Sequence, residues 1–195
     1  MQKYGIGEII SNVFFLAYTK LRYPGARLIR LPFYMRGKRH FKWGEGLTVG
    51  YRCRFEVYTN DNAEHIKIGK NCRIGDNVHI SAADSVTIGE NCLLASNILI
   101  IDNEHGNYAG GRYDSPPDVE PNERELVSAP IEIGDNVWIG ERVIVLKGVR
   151  IGNGCVIGAG SIVKHDIPDN CIALGSPAKV VKCFDVAQKK WKRVV

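Results

Sequence analysis

An all-β solenoid, specifically a parallel β-helix wound from six-residue units, is the fold that the 195-residue sequence predicts. Three observations carry it. From residue 133 an aliphatic side chain stands at every sixth position: Ile133, Ile139, Val145, Ile151, Ile157 and Val163. Glycine follows at Gly134, Gly140, Gly152 and Gly158, and small or medium residues recur four places beyond the aliphatic one, at Val137, Val143, Val149, Cys155 and Ser161. An earlier tract does the same at Ile68, Ile74 and Ile80 and, after a two-residue slip, at Ile88, Leu94 and Ile100. This spacing fits neither the period of an amphipathic helix nor plain strand alternation, so each unit is one short strand plus a turn. Such a unit cannot bury its aliphatic side chain alone. Stacked about 4.8 Å apart, successive coils line a continuous interior column, and the glycines release the corners.

The elements follow in chain order. Residues 6 to 21 carry Ile6, Ile10, Val13, Phe14, Ala17 and Leu21 at helical spacing, and Pro24-Gly25 ends the pattern,. The expected role of this helix is to cap the open end of the solenoid with its apolar face, because unpaired strand edges must be covered. The alternative is that the helix and the basic stretch Arg27 to Lys42 rest on an anionic membrane surface. Residues 1–45 thus form a helical and basic cap segment holding nine basic residues (Lys3, Lys20, Arg22, Arg27, Arg30, Arg36, Lys38, Arg39, Lys42) against Glu8 and Glu45, a net +7. Residues 46–182 form the β-helix domain, and 183–195 a C-terminal tail or short helix. Between Asp102 and Pro130 the repeat stops; Pro116, Pro117, Pro121 and Pro130 disfavour regular structure there, and a long excursion from a regular solenoid points to function.

Composition narrows the classes. The body beyond residue 45 carries 17 basic and 19 acidic residues, net −2, which argues against nucleic acid as a partner,. No uncharged run reaches the roughly 18 residues of a membrane span, and the N-terminus lacks the pattern of a secretory signal, so a cytoplasmic protein is expected, with the inner membrane face as a possible peripheral location. The six cysteines include no Cys-x-x-Cys pair. Cys72, Cys92 and Cys155 recur at one offset within the repeat, which reads as reduced thiols in stacked turns rather than disulfides or metal ligands.

Of the five histidines (His40, His65, His79, His105, His165), His105 stands in Ile100-Ile101-Asp102-Asn103-Glu104-His105-Gly106, where the repeat gives way to the excursion. Imidazole suits removal of a hydroxyl proton near neutral pH; a solvated loop histidine is the plainer reading of the residue alone. The context is Gly134-Asp135-Asn136-Val137-Trp138-Ile139-Gly140, Leu146-Lys147-Gly148-Val149, Gly158-Ala159-Gly160-Ser161-Ile162-Val163 and Gly175-Ser176-Pro177-Ala178-Lys179. Over about residues 47 to 182 these runs resemble the hexapeptide-repeat acetyltransferases, which include galactoside, maltose and polysaccharide O-acetyltransferases. The stretch from Leu21 to Arg30 resembles the start of the colanic-acid and lipopolysaccharide enzymes.

That resemblance implies a left-handed coil, a homotrimer with active sites between subunits, acetyl-CoA as co-substrate with no metal, and a sugar or surface-glycan hydroxyl as acceptor. It implies that His105 is the general base, although the Asp-His-x-His-Gly of glycan-modifying members reads Asp102-Asn103-Glu104-His105-Gly106 here. Asn97 and Asp102 match acceptor-contacting positions; Asn97 serves equally as a corner residue. Gly140 and Ala159 match backbone partners of the pantetheine arm, and Trp138 an indole beside it, with burial in the core as its alternative. Lys179 and Lys164 match cations near the coenzyme A phosphates, Lys164 with His165 standing where relatives have Thr-Lys. No cysteine lies in a nucleophile motif, so direct transfer without an acyl-enzyme is expected. Amine acetylation on an amino sugar or antibiotic is the alternative within the class. Outside it stand a zinc enzyme of the carbonic anhydrase kind, using His65, His79 and His105, and a non-catalytic trimeric scaffold.

Overall fold

The computed structural model describes residues 5–194; Lys3 of the basic surplus lies outside them. The hexads coil into a three-faced prism. Each coil lays one strand on each face, and strands of successive coils pair in parallel. The first face runs Leu28–Ile29, Thr48–Val49, Arg73–Ile74, Leu93–Leu94, Trp138–Ile139, Val156–Ile157 and Cys171–Gly175. The second runs Phe33–Arg36, Cys53–Val57, His79–Ala82, Leu99–Ile101, Ile144–Val145 and Ile162–Val163, and the third Phe41–Trp43, Ile66–Ile68, Val86–Ile88, Ile131–Ile133 and Arg150–Ile151. The repeat residues Ile74, Ile80, Ile88, Leu94, Ile100, Ile133, Ile139, Val145, Ile151, Ile157 and Val163 are all buried in one interior column, as the period demands.

Two details differ from the simple picture of glycine-released corners. The left-handed corner positions are held largely by asparagine, with φ of 58° at Asn71, 55° at Asn77, 57° at Asn91 and 61° at Asn97, and the amides of stacked coils bond to one another, Asn77 donating to Asn97 at 3.2 Å. The repeat glycines answer instead to close approach: a Cβ on Gly89 would lie 2.6 Å from the carbonyl carbon of Gly134 in the next coil. Inside the turns, Cys72 and Cys92 donate their thiols to the Gly89 and Gly134 carbonyls at 3.0 and 3.1 Å, and burial pushes the Cys53 thiol up to about 11. These cysteines and Cys155 are free and buried, which makes them unreactive core residues.

The coils begin at Leu28–Ile29 rather than at residue 46, because the cap segment's extended stretches pair with the next coil before the hexad signature is recognisable. At the other end, the expected tail or helix at 183–195 is a strand pair: Ala178–Asp185 folds back antiparallel on Cys171–Gly175, and Lys190–Arg193 pairs with it. This register sets Cys171 opposite Cys183, and the two are disulfide-bonded. The expectation of wholly reduced cysteines therefore fails for this pair, whose proximity depends on a hairpin that lies outside the repeat.

The N-terminal helix α1 (Ile6–Arg22) corrects a further expectation. It does sit on the first coil, but its apolar face does not. Phe15 and Thr19 are its buried residues, while Ile6, Ile10, Val13, Phe14 and Leu21 are exposed. The reason is chemical. The top of the prism is already plugged by aromatic side chains, Tyr23 packing on Phe33 and Trp43 with ring centroids 5.7 and 5.9 Å away. What remains open is an edge strand with unpaired polar groups. Thr19 Oγ1 accepts the Ile29 N–H at 2.8 Å and donates to the Phe15 carbonyl at 2.6 Å, so the edge recruits a hydroxyl rather than an aliphatic stripe.

Near the same end, His65 Nε2 bonds Asp61 Oδ1 at 2.8 Å and its Nδ1 faces the Asp84 carbonyl. Burial disfavours the imidazolium, but these acceptors outweigh burial and the His65 pKa is raised above its ordinary 6.5. The folded protein thus holds this proton more tightly than the unfolded chain. Its contribution to stability is complete below 6.5 and fades as pH rises through the raised value. Urea midpoints measured from about pH 6 to about pH 9 should fall with a component that His65→Asn removes; an unchanged slope in the variant would discard this assignment.

Candidate functional site

The excursion leaves the prism in one particular passage, between the second-face strand Leu99–Ile101 and the third-face strand Ile131–Ile133. Its base is regular despite the prolines. Asn103–His105 pairs antiparallel with Leu126–Ser128, setting His105 opposite Leu126. The backbone then turns sharply at Gly106, whose φ of 102° suits glycine and whose absent side chain leaves room for the Tyr108 hydroxyl. That hydroxyl donates to the His105 carbonyl at 2.6 Å and accepts from Arg124 at 2.7 Å. His105 is therefore fixed through its backbone while its imidazole is exposed.

Asp102 anchors this arm. It is fully buried; its two carboxylate oxygens accept the Ala83 and Asp84 N–H groups at 2.8 Å each, and the Asn103 amide adds a third bond at 2.8 Å. With both oxygens occupied and no exposed surface, Asp102 holds the root of the arm; the acceptor contact expected of it has no open carboxylate edge. Lys147 ties the arm from outside through Glu104 at 3.1 Å.

Beside His105 lies a pocket of about 460 Å³ lined by Tyr58, His79, Ser81, Ile101, Asn103, Glu104, His105 and Leu126. Beneath it is a carboxylate that sequence reasoning missed. Glu56 is 1% exposed and bonds Arg54 Nη2 at 2.8 Å and His79 Nε2 at 3.0 Å. Burial raises its pKa, but bonds from Arg54, Tyr58 and His79 outweigh this and leave it lowered, so Glu56 is ionised at neutral pH. Glu56 and His79 are 23 positions apart in sequence and meet because parallel pairing places Arg54 beside His79 and Glu56 beside Ser81. Local sequence carried no signal of this: alternation along Phe55, Glu56 and Val57 would expose the middle residue, whereas all three are buried.

The other expected site residues lie apart from this pocket. Trp138 is on the first face and 52% exposed, so its core alternative drops out. Gly140 and Ala159 stack at the corner that follows, a Cβ on Gly140 falling 2.6 Å from Ala159 N, beside a cleft of about 440 Å³ lined by Glu141, Arg142, Ala159 and Gly160. Asn97 is a corner residue with its amide on Glu141 at 3.0 Å. Lys164 and Lys179 are exposed, Lys164 past the last second-face strand and Lys179 on the C-terminal hairpin. Of the three histidines of the zinc reading, His79 and His105 share the pocket, whereas both His65 nitrogens are taken by Asp61 and Asp84. Among the described residues, the group with metal-like spacing is His40, Asp61 and His65; within it the His40 ring bonds the Ala63 carbonyl and Arg39.

A three-faced coil of hexads with one hairpin arm bearing an exposed imidazole defines the class: a hexapeptide-repeat transferase. Residues 130–165 match the family described as bacterial transferase hexapeptide (six repeats), and residues 65–101 match the hexapeptide repeat of succinyl-transferase. Over 98% of this chain and 96% of its own length, the putative lipopolysaccharide biosynthesis O-acetyl transferase WbbJ of Escherichia coli is 36% identical. The galactoside O-acetyltransferase of Escherichia coli is 41% identical over 60% of this chain and 57% of its own. Among solved structures, AntD, an N-acyltransferase from Bacillus cereus in complex with dTDP and 3-hydroxybutyryl-CoA, superposes with a TM-score of 0.67 at 17% identity, covering 94% of this chain and 90% of that one. A hexapeptide-repeat acetyltransferase from Vibrio cholerae, complexed with acetyl coenzyme A, superposes with a TM-score of 0.52 at 22% identity over 94% and 80%. The chain belongs to the hexapeptide-repeat acetyltransferase family and is an acyltransferase with the left-handed parallel β-helix fold.

Proposed function

We propose that this protein transfers an acetyl group from acetyl-CoA to a hydroxyl of a sugar or surface-glycan precursor, with His105 as general base. The observation that carries this reading is the exposed His105 imidazole, held by a braced backbone at a pocket that His79 also lines, with the buried Glu56 carboxylate bonded to His79. An acceptor hydroxyl in that pocket would lose its proton to His105 as its oxygen attacks the thioester carbonyl. The tetrahedral intermediate then collapses, the carbon–sulfur bond breaks, and the proton passes to the departing thiolate. Asn103, Ser81 and Tyr58 on the pocket wall offer the polar groups that a sugar needs for orientation. The whole-length likeness to a protein named as an O-acetyl transferase favours oxygen over nitrogen.

For the co-substrate, the corner at Gly140 and Ala159 presents open backbone, Trp138 an exposed indole, and Lys164 and Lys179 cations for phosphates. Trp138, Gly140, Ala159 and Lys179 stand on the first face, its corners and the hairpin that extends it, and Lys164 follows Ile162–Val163, two coils beyond Leu99–Ile101 on the second face; none of them lines the pocket of His105. One subunit thus carries the two halves of a site separately, which supports a homotrimer in which the half from one copy meets the half from the next. Outward apolar side chains on the first face, Leu93, Trp138 and Leu174, suit such contacts.

The test is thiol release from acetyl-CoA against a panel of sugars, nucleotide sugars, lipid-linked glycans and amines. Turnover with hydroxyl acceptors is expected; turnover confined to amines would replace this reading with N-acetylation, and none with any acceptor would favour a scaffold.

A further inference from the structure

The outward face of α1 is unexplained by acyl transfer. Ile6 is 80% exposed, Phe14 58% and Leu21 83%, and Ile9, Ile10, Val13 and Leu16 are exposed beside them. At 100° per residue these seven fall on one side of the helix, with Ser11, Asn12, Phe15 and Thr19 turned towards the prism. A solvent-facing helix ordinarily reverses this arrangement. The C-terminal end of the face is cationic. Lys20 interrupts it, Arg22 stands at its end, and Lys38 is brought alongside by donating to the Arg22 carbonyl at 2.7 Å. Residues 5–44 hold eight basic side chains and one acidic, Glu8, which bonds back to the Gly5 N–H.

We infer that this face lies on the surface of an anionic phospholipid bilayer. Seven apolar side chains with a basic cluster at one end match an interface that is apolar below and negatively charged at its headgroups. Charge favours lipid over a two-fold pairing of this face with itself, which would set Lys20, Arg22 and Lys38 against the same cations, whereas lipid phosphates neutralise them. α1 rests in the interface rather than crossing it, since no helix among the described residues is long and apolar enough to span a membrane. The catalytic pocket would then be held at a fixed distance from lipid-borne molecules, but the docking itself does not depend on the acyl-transfer reading.

The experiment is co-sedimentation of the full chain with phosphatidylcholine vesicles, alone or mixed with phosphatidylglycerol, at low and high salt. Binding to the mixed vesicles is expected, weakened by salt. Ile10→Asp with Phe14→Asp should lower partitioning by about tenfold or more, since two apolar side chains are withdrawn from the interface; both side chains are exposed, so circular dichroism should be unchanged. Lys20→Glu with Arg22→Glu should weaken binding to the anionic vesicles. Failure to bind either vesicle, or equal binding by the aspartate variant, would overturn the proposal. Concentration-dependent self-association abolished by Ile10→Asp, without lipid binding, would overturn it in favour of a second copy. Loss of thiol release with vesicle binding intact would count against the acyl-transfer reading alone.

Discussion

Replacing His105 by alanine is expected to leave a folded protein that turns over at least about 10²-fold more slowly, the scale of a positioned general base. The two halves of this expectation rest on separate observations. Stability should be preserved because the arm is held by the backbone pairing of Asn103–His105 with Leu126–Ser128, by Tyr108 on the His105 carbonyl and by Asp102 at its root. None of these uses the imidazole. Activity should fall because no other pocket group takes over easily: His79 is already engaged with Glu56 at 3.0 Å. The measurements are the urea midpoint and the pH dependence of kcat/KM. The acid limb should disappear in the variant if that limb reports the base. Near-normal turnover would remove His105 from the mechanism and direct attention to His79.

Asp102→Ala should do the opposite, striking stability first and rate as a consequence. The substitution removes the acceptor of the half-buried Ala83 and the exposed Asp84 N–H groups, each now bonded at 2.8 Å. Leaving a buried donor unsatisfied costs about 1–3 kcal/mol; with these two only partly shielded from water, a loss of roughly 1–3 kcal/mol in all is expected, read as a lower urea midpoint at an unchanged slope. The arm would also lose its anchor, and misplacement of a catalytic group by about 1 Å can cost on the order of 10² in rate. Asp102→Asn keeps one acceptor oxygen and should lie between the two. A stability change under about 0.5 kcal/mol for the alanine variant would mean that the backbone groups find other partners and that the anchoring role is wrong.

Both predictions concern residues that stand out in the sequence, and for Asp102 the structure supplies a different reason from the expected one. His105 stood out because the repeat fails there and because the C-terminal runs resemble acetyltransferases; the residue alone reads more plainly as a solvated loop histidine. Asp102 was legible as important, but its burial was not, since nothing local separates a carboxylate that faces a ligand from one turned under the next coil onto two backbone amides. Trp138 shows the reverse: a strand tryptophan reads as core, and here it is exposed because position 138 precedes the inward-facing Ile139 and so points out of the prism.

The sequence by itself determined the solenoid, its interior column and the place where the arm departs, because an aliphatic at every sixth residue has no way to leave water except by stacking on its neighbours above and below. Tertiary structure alone decided the pairing of Glu56 with His79, the bridge between Cys171 and Cys183, the partners of Asp102 and the outward turn of α1's apolar face. Each of these depends on which residues of different coils come to lie side by side, or on what the prism's end already holds. That is a matter of register and of satisfied polar edges, neither of which leaves a mark on local spacing.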